Sequence, residues 1–140
     1  MSYFLKNCTR ALITFFLVTI LISCTSESEK KLRFAIDNDK FDFTDLPLGV
    51  DNIHFAHKGN IQFGLIDLLN GQQIKFWFLT HHCTSDIGGT IYEFPNGDKE
   101  FYSGLHCCEV QFFEKNFKSL KFRDADDFRA YVKERNGIKP

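Results

Sequence analysis

The sequence predicts an α+β fold, a mainly antiparallel β-sheet meander with one C-terminal α-helix. Three observations indicate this fold. Short, aromatic-rich stretches in which apolar and polar residues alternate follow one another through most of the chain. The pairs Asn70-Gly71 and Asn96-Gly97 favour the tight turns that join antiparallel strands. The signals for a helix are concentrated near the carboxyl end.

The first strands are expected in the amino-terminal half. Leu32–Ile36 and Phe41–Phe43 alternate between apolar and other residues and are separated by an Asp-Asn-Asp turn. Leu46-Pro-Leu-Gly49 contains turn-forming residues and is expected to break whatever precedes it. Ile53–His57 and Ile61–Leu68 then form a hairpin.

The remaining strands are placed by the two Asn-Gly turns. In all, about six to eight strands are expected in the meander. The later ones are Gln73–His82, Thr90–Phe94, Glu100–Phe113 and a last strand at Lys118–Phe122.

One helix is well signalled after the last strand. Asp124 can cap its start, and Asn136-Gly137 can end it. Between them lie acidic residues near the start, an apolar stripe and basic residues near the end, namely Asp126, Asp127, Phe128, Tyr131, Val132, Lys133 and Arg135.

The first 24 residues have the layout of a secretory signal. The positively charged Lys6 and Arg10 precede an apolar run that extends from residue 11 to residue 22. The small residue Ser23 then precedes Cys24. This run is too short and too close to the start for a typical membrane-spanning helix.

Leu21-Ile22-Ser23-Cys24 resembles the lipobox of bacterial lipoproteins. The resemblance implies that diacylglycerol is attached to the Cys24 thiol, that the chain is cleaved before Cys24, and that the new amino terminus receives a fatty acid such as palmitate. Several acyl chains together anchor a protein stably. Thr25 stands where an inner-membrane retention signal has aspartate. We therefore expect a lipid-anchored protein of the bacterial cell envelope, with the outer membrane favoured and the domain facing the periplasm or the cell surface.

These signals divide the chain into three parts. Residues 1–23 are the lipoprotein signal peptide, residues 24–31 are the lipidated cysteine with a flexible polar tether, and residues 32–140 form a single β-rich domain. The cleaved chain keeps 15 basic and 18 acidic residues, a net charge of −3. Because nucleic-acid binding needs a concentrated basic surface, no nucleic-acid partner is expected.

Two short clusters combine histidine with cysteine. In a strand, residues two apart share a face, so His81 lies on the same side as Cys83, and His106 on the same side as Cys108. If the two segments lie side by side, two imidazoles and two thiolates converge, a ligand set that suits zinc or copper. A metal site at these four residues is one hypothesis, although their spacing matches no recognised zinc motif.

A disulfide is the favoured structural interpretation of the same cysteines, because the envelope is oxidising. Cys83 can pair with Cys108, or with Cys107, and close a loop of about 25 residues that contributes about 3 kcal/mol if it is unstrained. The Cys83–Cys108 pairing is favoured because the vicinal Cys107 would point to the opposite face.

Catalysis is the third interpretation of this region. Cys83 or Cys108 would be the nucleophile, a nearby histidine the base and a carboxylate the orienting group. The candidates for the last two roles are His81, His82, His106 and Asp86. A neighbouring imidazolium can lower the thiol pKa. The sequence shows no helix start behind either cysteine, however, and no oxyanion donor beyond Gly88-Gly89.

The favoured function is therefore a non-enzymatic binding module with no cofactor, held at the membrane by lipid. Small lipoproteins of this plan often act as accessory or toxin-neutralising proteins, so a protein partner in the envelope is expected by analogy. The alternatives are a metal-binding lipoprotein and a cysteine-nucleophile enzyme. A solvated hairpin is the simplest interpretation of one further acidic and aromatic edge, formed by Glu93, Asp98, Glu100 and Tyr102.

Overall fold

The structure is a computed structural model of the 140-residue chain. It describes residues 26–50, 52–79, 88–104 and 121–137. Within these ranges, six strands form one antiparallel sheet in which every strand pairs with the next along the chain; one helix precedes the first strand and another follows the last. The elements are α1 (Glu27–Asn38), β1 (Leu48–Val50), β2 (Ile53–Lys58), β3 (Ile61–Asp67), β4 (Gln73–Leu79), β5 (Gly88–Glu93), β6 (Lys99–Gly104) and α2 (Ala125–Arg135). The predicted α+β meander with a C-terminal helix is confirmed.

Both faces of the sheet are buried, each under one helix. On the α2 face, a cluster of strand residues packs against Phe122 and the helix residues Phe128 and Val132. On the α1 face, a second cluster packs against Leu32 and Ala35. The strand residues of the α2 face include Ile53, Ile66, Ile74, Phe76, Phe78, Tyr92 and Tyr102, and those of the α1 face include Ile61, Phe63, Trp77, Leu79 and Ile91.

The register of the strands produces this division. Phe63, Trp77 and Ile91 lie opposite one another on β3, β4 and β5, and all three belong to the α1 face. The next row, one residue along, contains Phe76 and Tyr92 and belongs to the α2 face. Because side chains alternate along a strand, β4 buries apolar residues on both of its sides.

The strand predicted at Leu32–Ile36 is wrong, because these residues belong to helix α1. The Ser26 hydroxyl accepts a hydrogen bond from the Glu29 backbone N–H at 3.1 Å, which caps the start of the helix. Leu32 and Ala35, three residues apart, then face the sheet. The alternation of Leu32, Phe34 and Ile36 suggested a strand, but Phe34 points outward and is 70% exposed.

The prediction of a flexible tether over residues 24–31 is wrong from Glu27 onward, where helix α1 begins. From Glu27 onward these residues are helical, and Ser28 is buried. The capping hydrogen bond and two i,i+4 ion pairs, Glu27–Lys31 and Glu29–Arg33, stabilise the turn that was interpreted as a linker. The described folded part therefore begins immediately after Ser26.

Phe41–Phe43 does not form the predicted strand. The Asp42 carboxylate accepts a hydrogen bond from the Thr44 backbone N–H at 2.9 Å, which turns the chain. The rings of Phe41 and Phe43 instead pack edge-on against Phe63 and Trp77, with centroid distances of 5.1 to 6.3 Å. The alternation therefore marked a loop that covers part of the α1 face.

Two further strand assignments differ from the prediction. Leu48 and Gly49, expected to lie in the break at Leu46–Gly49, instead form the short strand β1 together with Val50. Lys121 and Phe122, the described end of the predicted strand at Lys118–Phe122, are not in a strand, and residues 118–120 lie outside the described residues. The Phe122 carbonyl accepts a hydrogen bond from the Leu69 backbone N–H at 3.0 Å, which holds this segment against the β3–β4 turn.

The hairpins and the C-terminal helix are confirmed. Gly71 and Gly97 have positive φ angles of 84° and 91°, as the Asn-Gly turns predicted. The Asp124 carboxylate accepts a hydrogen bond from the Asp127 backbone N–H at 2.9 Å, and Asn136 caps the other end of α2. The described parts of the hairpin strands agree with the prediction to within two residues at each boundary that the structure describes.

Gly64 lies where two strands and an aromatic ring leave no room for a side chain. It sits on β3 between Phe55 of β2 and Phe76 of β4. A Cβ atom at this position would lie 2.0 Å from the His54 carbonyl oxygen and 2.8 Å from the Phe76 ring. The strand therefore requires glycine for close approach rather than for an unusual backbone angle.

We expect Gly64→Ala to lower the free energy of unfolding by about 2 to 3 kcal/mol, because the added methyl group must displace the β2 backbone. The matched control is Gly71→Ala, which introduces backbone strain at positive φ without crowding and is expected to cost about 1 kcal/mol. Urea denaturation of the chain from residue 25 onward measures both. Equal losses for the two variants would contradict the close-packing explanation.

Candidate functional site

The predicted His81, Cys83, His106 and Cys108 lie outside the described residues, as do Cys24, His82, Asp86 and Cys107. The described strands nevertheless show from which strand ends the segments with the two cysteine–histidine clusters continue. β4 ends at Leu79, β5 begins at Gly88 and β6 ends at Gly104, so all three meet the segments at the same end of the antiparallel sheet. The sequence therefore attaches both cysteine–histidine clusters to one end of the sheet.

Strand β5 lies between β4 and β6, so the strands that carry the two clusters are not paired with each other over their described lengths. Their axes are two strand spacings apart, about 10 Å. Cys83 follows Leu79, and Cys108 follows Gly104, by a stretch that spans at most about 14 Å. Chain length therefore permits a bond between Cys83 and Cys108, which stays a prediction.

A groove lies at the opposite end of the sheet, where β2 begins, β3 ends and β4 begins. We call it the turn groove. Its volume is about 310 Å³, and it is lined by Asn52, Asp67, Leu68, Leu69 and Lys121. The backbone N–H groups of Leu69 and Asn70 donate to the carbonyls of Phe122 and Arg123, and these bonds hold one wall against the other.

Asp67 is the most constrained polar residue of the turn groove. Its carboxylate contacts a ring nitrogen of His54 at 2.8 Å and accepts a hydrogen bond from the Gln73 side chain at 2.8 Å. Its backbone N–H donates to the Asn52 carbonyl, and its own carbonyl accepts from the Asn52 side chain. These four contacts join the ends of β2, β3 and β4 and fix the shape of the groove.

Two polar groups of the turn groove, the Asn52 side-chain oxygen and the Lys121 ammonium, have no hydrogen-bond or ion-pair partner among the described residues. The Asn52 side-chain oxygen is buried and accepts no hydrogen bond from them. The exposed Lys121 ammonium forms no ion pair with a described acidic group. The solvated Lys121 cation suits a partner that supplies an acidic group.

Exposed leucines flank the turn groove. Leu69 forms part of its wall and is 65% exposed. Leu48 is 60% exposed and lies on the edge strand β1 opposite His54, which contacts Asp67. No described strand pairs with the outer side of β1. An apolar, partly charged surface beside an open strand edge is typical of a surface that binds a protein segment.

A second groove of about 310 Å³ lies between α2 and the β5–β6 hairpin, and Arg129 forms part of its lining. The Arg129 guanidinium donates to Glu100 at 2.8 Å and to Asp126 at 3.0 Å, and it stacks 4.0 Å from the centre of the Phe94 ring. Its charge is therefore already neutralised within the protein. These contacts attach α2 to β6, the last of the described strands.

Part of the edge predicted to be a solvated hairpin is buried and hydrogen-bonded. Tyr102 is 7% exposed, and its hydroxyl donates to the Glu100 carboxylate. Burial raises the pKa of Tyr102, the hydrogen bond and the negative charge of Glu100 raise it further, and Arg129 lowers it to a smaller extent. The neutral hydroxyl is therefore the form that the folded protein favours.

On the α1 face, Glu93 forms ion pairs with two lysines of the neighbouring strands. Its carboxylate lies 3.2 Å from the Lys75 ammonium on β4 and 3.0 Å from the Lys99 ammonium on β6. Burial raises the pKa of Glu93, but the hydrogen bonds and positive charges of Lys99 and Lys75 outweigh it, so the pKa lies below its usual value. The carboxylate thus connects three neighbouring strands.

Sequence reasoning did not find the turn groove. Leu69 followed a predicted strand and Leu48 lay in a predicted break, so neither suggested an exposed surface. The useful signal was the run of polar residues around Asn70-Gly71, which places Leu69 in a turn. The role of Lys121 depends on a contact between distant segments, which no local pattern reveals.

The chain matches no protein-family model, no curated protein and no solved structure. Among the described residues, no group of three or more histidine, cysteine, aspartate or glutamate side chains is placed to hold a metal ion. No helix in the described part of the chain is long and apolar enough to cross a membrane.

We expect Glu93→Gln to lower the free energy of unfolding at pH 7 by about 0.5 to 1 kcal/mol, because both ion pairs are partly exposed. The folded-state pKa of Glu93 lies below its unfolded value, so its contribution is complete above the unfolded pKa and is lost as the pH falls through the folded one. The difference from wild type should shrink as the pH falls below about 4.

Urea denaturation across this pH range measures the difference. Glu134→Gln, on the exposed side of α2, controls for the loss of one negative charge. A Glu93→Gln difference that stays constant down to pH 2 would show that the ion pairs do not cause it.

Proposed function

We propose that this chain is a lipid-anchored protein of a bacterial cell envelope whose β-rich domain binds another envelope protein and catalyses no reaction. An accessory or toxin-neutralising role is of this kind. The observation that carries the proposal is the turn groove with its exposed leucines. The lipobox-like sequence at Leu21–Cys24 supplies the membrane part of the proposal.

The surface favours one kind of partner. Leu48 and Leu69 offer apolar contact area, and the Lys121 ammonium favours an acidic side chain on the partner. The outer side of β1 offers backbone hydrogen bonds to an extended segment. We therefore propose that the partner presents an extended segment with apolar side chains next to an acidic residue.

We expect a photo-crosslinking amino acid at position 48 or 69, introduced into the chain in its native bacterium, to give one discrete adduct of the same mass. The reason is that both positions flank the proposed surface. The same amino acid in place of Glu134, which is exposed on α2, should give no such adduct. Gel mobility and mass of the adducts measure this.

Charge reversal at Lys121 sharpens the crosslinking test. Lys121→Glu places a like charge opposite the proposed acidic residue and should reduce the adduct at position 69 by about tenfold. Adducts of equal yield at positions 48, 69 and 134, or an adduct at 69 that does not respond to Lys121→Glu, would contradict the proposed surface.

We also propose a second candidate function, metal binding by His81, Cys83, His106 and Cys108. The observation that favours it is the attachment of both clusters to the same end of the sheet. A disulfide between Cys83 and either Cys107 or Cys108 competes with it, because the same thiolates cannot serve both. Zinc or copper(I) fits a ligand set of two imidazoles and two thiolates.

Intact mass of the domain beyond Cys24, isolated from an oxidising compartment, distinguishes a disulfide at Cys83 from a metal site. We expect the mass to be lower by two protons and to show one alkylatable thiol, because Cys83 is proposed to form a disulfide. A native mass that includes zinc or copper, together with three free thiols, would instead support the metal site. A Cys83→Ser variant provides the control for both measurements.

A further inference from the structure

The distance between the proposed lipid anchor and the folded domain is short. Glu27, the first residue of α1, follows Cys24 by three peptide units, which span at most about 11 Å. Helix α1 itself is about 18 Å long. If Cys24 carries lipid, as the proposed function requires, α1 therefore stands within reach of the bilayer surface and is not held away from it by a tether.

Helix α1 has one side against the sheet and one side toward solvent. Leu32 and Ala35 are buried against the sheet, whereas Phe34, between them in sequence, is 70% exposed. Its neighbours on the helix surface, three or four residues away, are the exposed Lys30, Lys31, Asp37 and Asn38. Phe34 thus stands alone as a large apolar side chain within a polar helix surface.

We propose that this outer surface of α1 lies on the membrane that holds Cys24, with the Phe34 ring inserted among the lipid head groups. Aromatic side chains favour the region between water and acyl chains. A surface helix that starts beside an acyl anchor needs only one such residue, because the anchor already confines it to the bilayer. Phe34 therefore sets the orientation of the domain rather than the strength of anchoring.

The charges around Phe34 indicate which lipid property matters. Arg33 pairs with Glu29 at 2.8 Å, Lys31 lies 3.9 Å from Glu27, and Lys30 and Asp37 carry opposite charges on the exposed side. The helix surface is therefore electrically balanced. Contact with lipid depends on Phe34 and does not require anionic head groups, in contrast to a basic helix.

The test places an indole at position 34 in the full-length, lipidated protein. The Phe34→Trp protein is reconstituted into phosphatidylcholine vesicles with or without brominated acyl chains, which quench nearby indoles. The matched control is Leu69→Trp, which is equally exposed but lies at the β3–β4 turn. Wild-type protein supplies the background of its single tryptophan, Trp77, which is 4% exposed.

We expect brominated lipid to remove about half of the fluorescence added by Phe34→Trp, because an interfacial side chain reaches the boundary of the acyl chains. The fluorescence added by Leu69→Trp should not change. Adding anionic phosphatidylglycerol to the vesicles should not alter the result at position 34. Far-ultraviolet circular dichroism spectra that match wild type verify that both variants are folded.

Four outcomes would overturn the proposal. Equal quenching at positions 34 and 69 would mean that the domain has no preferred orientation. A blue-shifted, unquenched indole at position 34 would mean that another protein, such as a second copy, covers α1. An intact mass without acyl groups would overturn the lipid anchor as well, whereas an acylated protein with no quenching at position 34 would overturn only the placement of α1.

Discussion

The structure depends on the burial of both faces of a sheet made from hairpins. Strand β4 carries Phe76 and Phe78 on one side and Trp77 and Leu79 on the other, so neither side can face water without a large loss of hydrophobic stabilisation. The six described strands form a single sheet, so none of them can pack over either face. Helix α1 with the loop after it covers one face, and α2 with Phe122 covers the other.

This arrangement determines where a partner can bind. Because helices occupy both faces, a partner that binds the sheet within the described residues has its ends, its turns and the outer side of β1 to contact. The turn groove lies at one end, beside the edge strand β1, and the cysteine–histidine segments attach at the other. The ion pairs of Glu93 and Arg129 hold strands and helix together at β6, whereas the outer side of β1 pairs with no described strand.

The sequence predicted the parts of the fold that depend on local chemistry. The turns at Asn70-Gly71 and Asn96-Gly97, and α2 between Asp124 and Asn136, were all identified because a few adjacent residues determine them. Helix α1 was missed although Ser26 and Glu29 form a capping pair, since five alternating residues fit a strand as well as a helix. The turn groove was unpredictable because Lys121 reaches Asp67 and Leu69 only through the folded chain.

The position of α2 after all six strands has a consequence for the order of folding. Each strand pairs with its predecessor, so the meander can form hairpin by hairpin as the chain emerges, and such local contacts form quickly. Helix α1 precedes the strands and can cover its face as soon as they pair. The aromatic side chains of the opposite face stay exposed until Phe122 and Phe128 arrive. A chain that has formed the sheet but not yet placed Phe122 and α2 on this face is therefore the form most prone to aggregate.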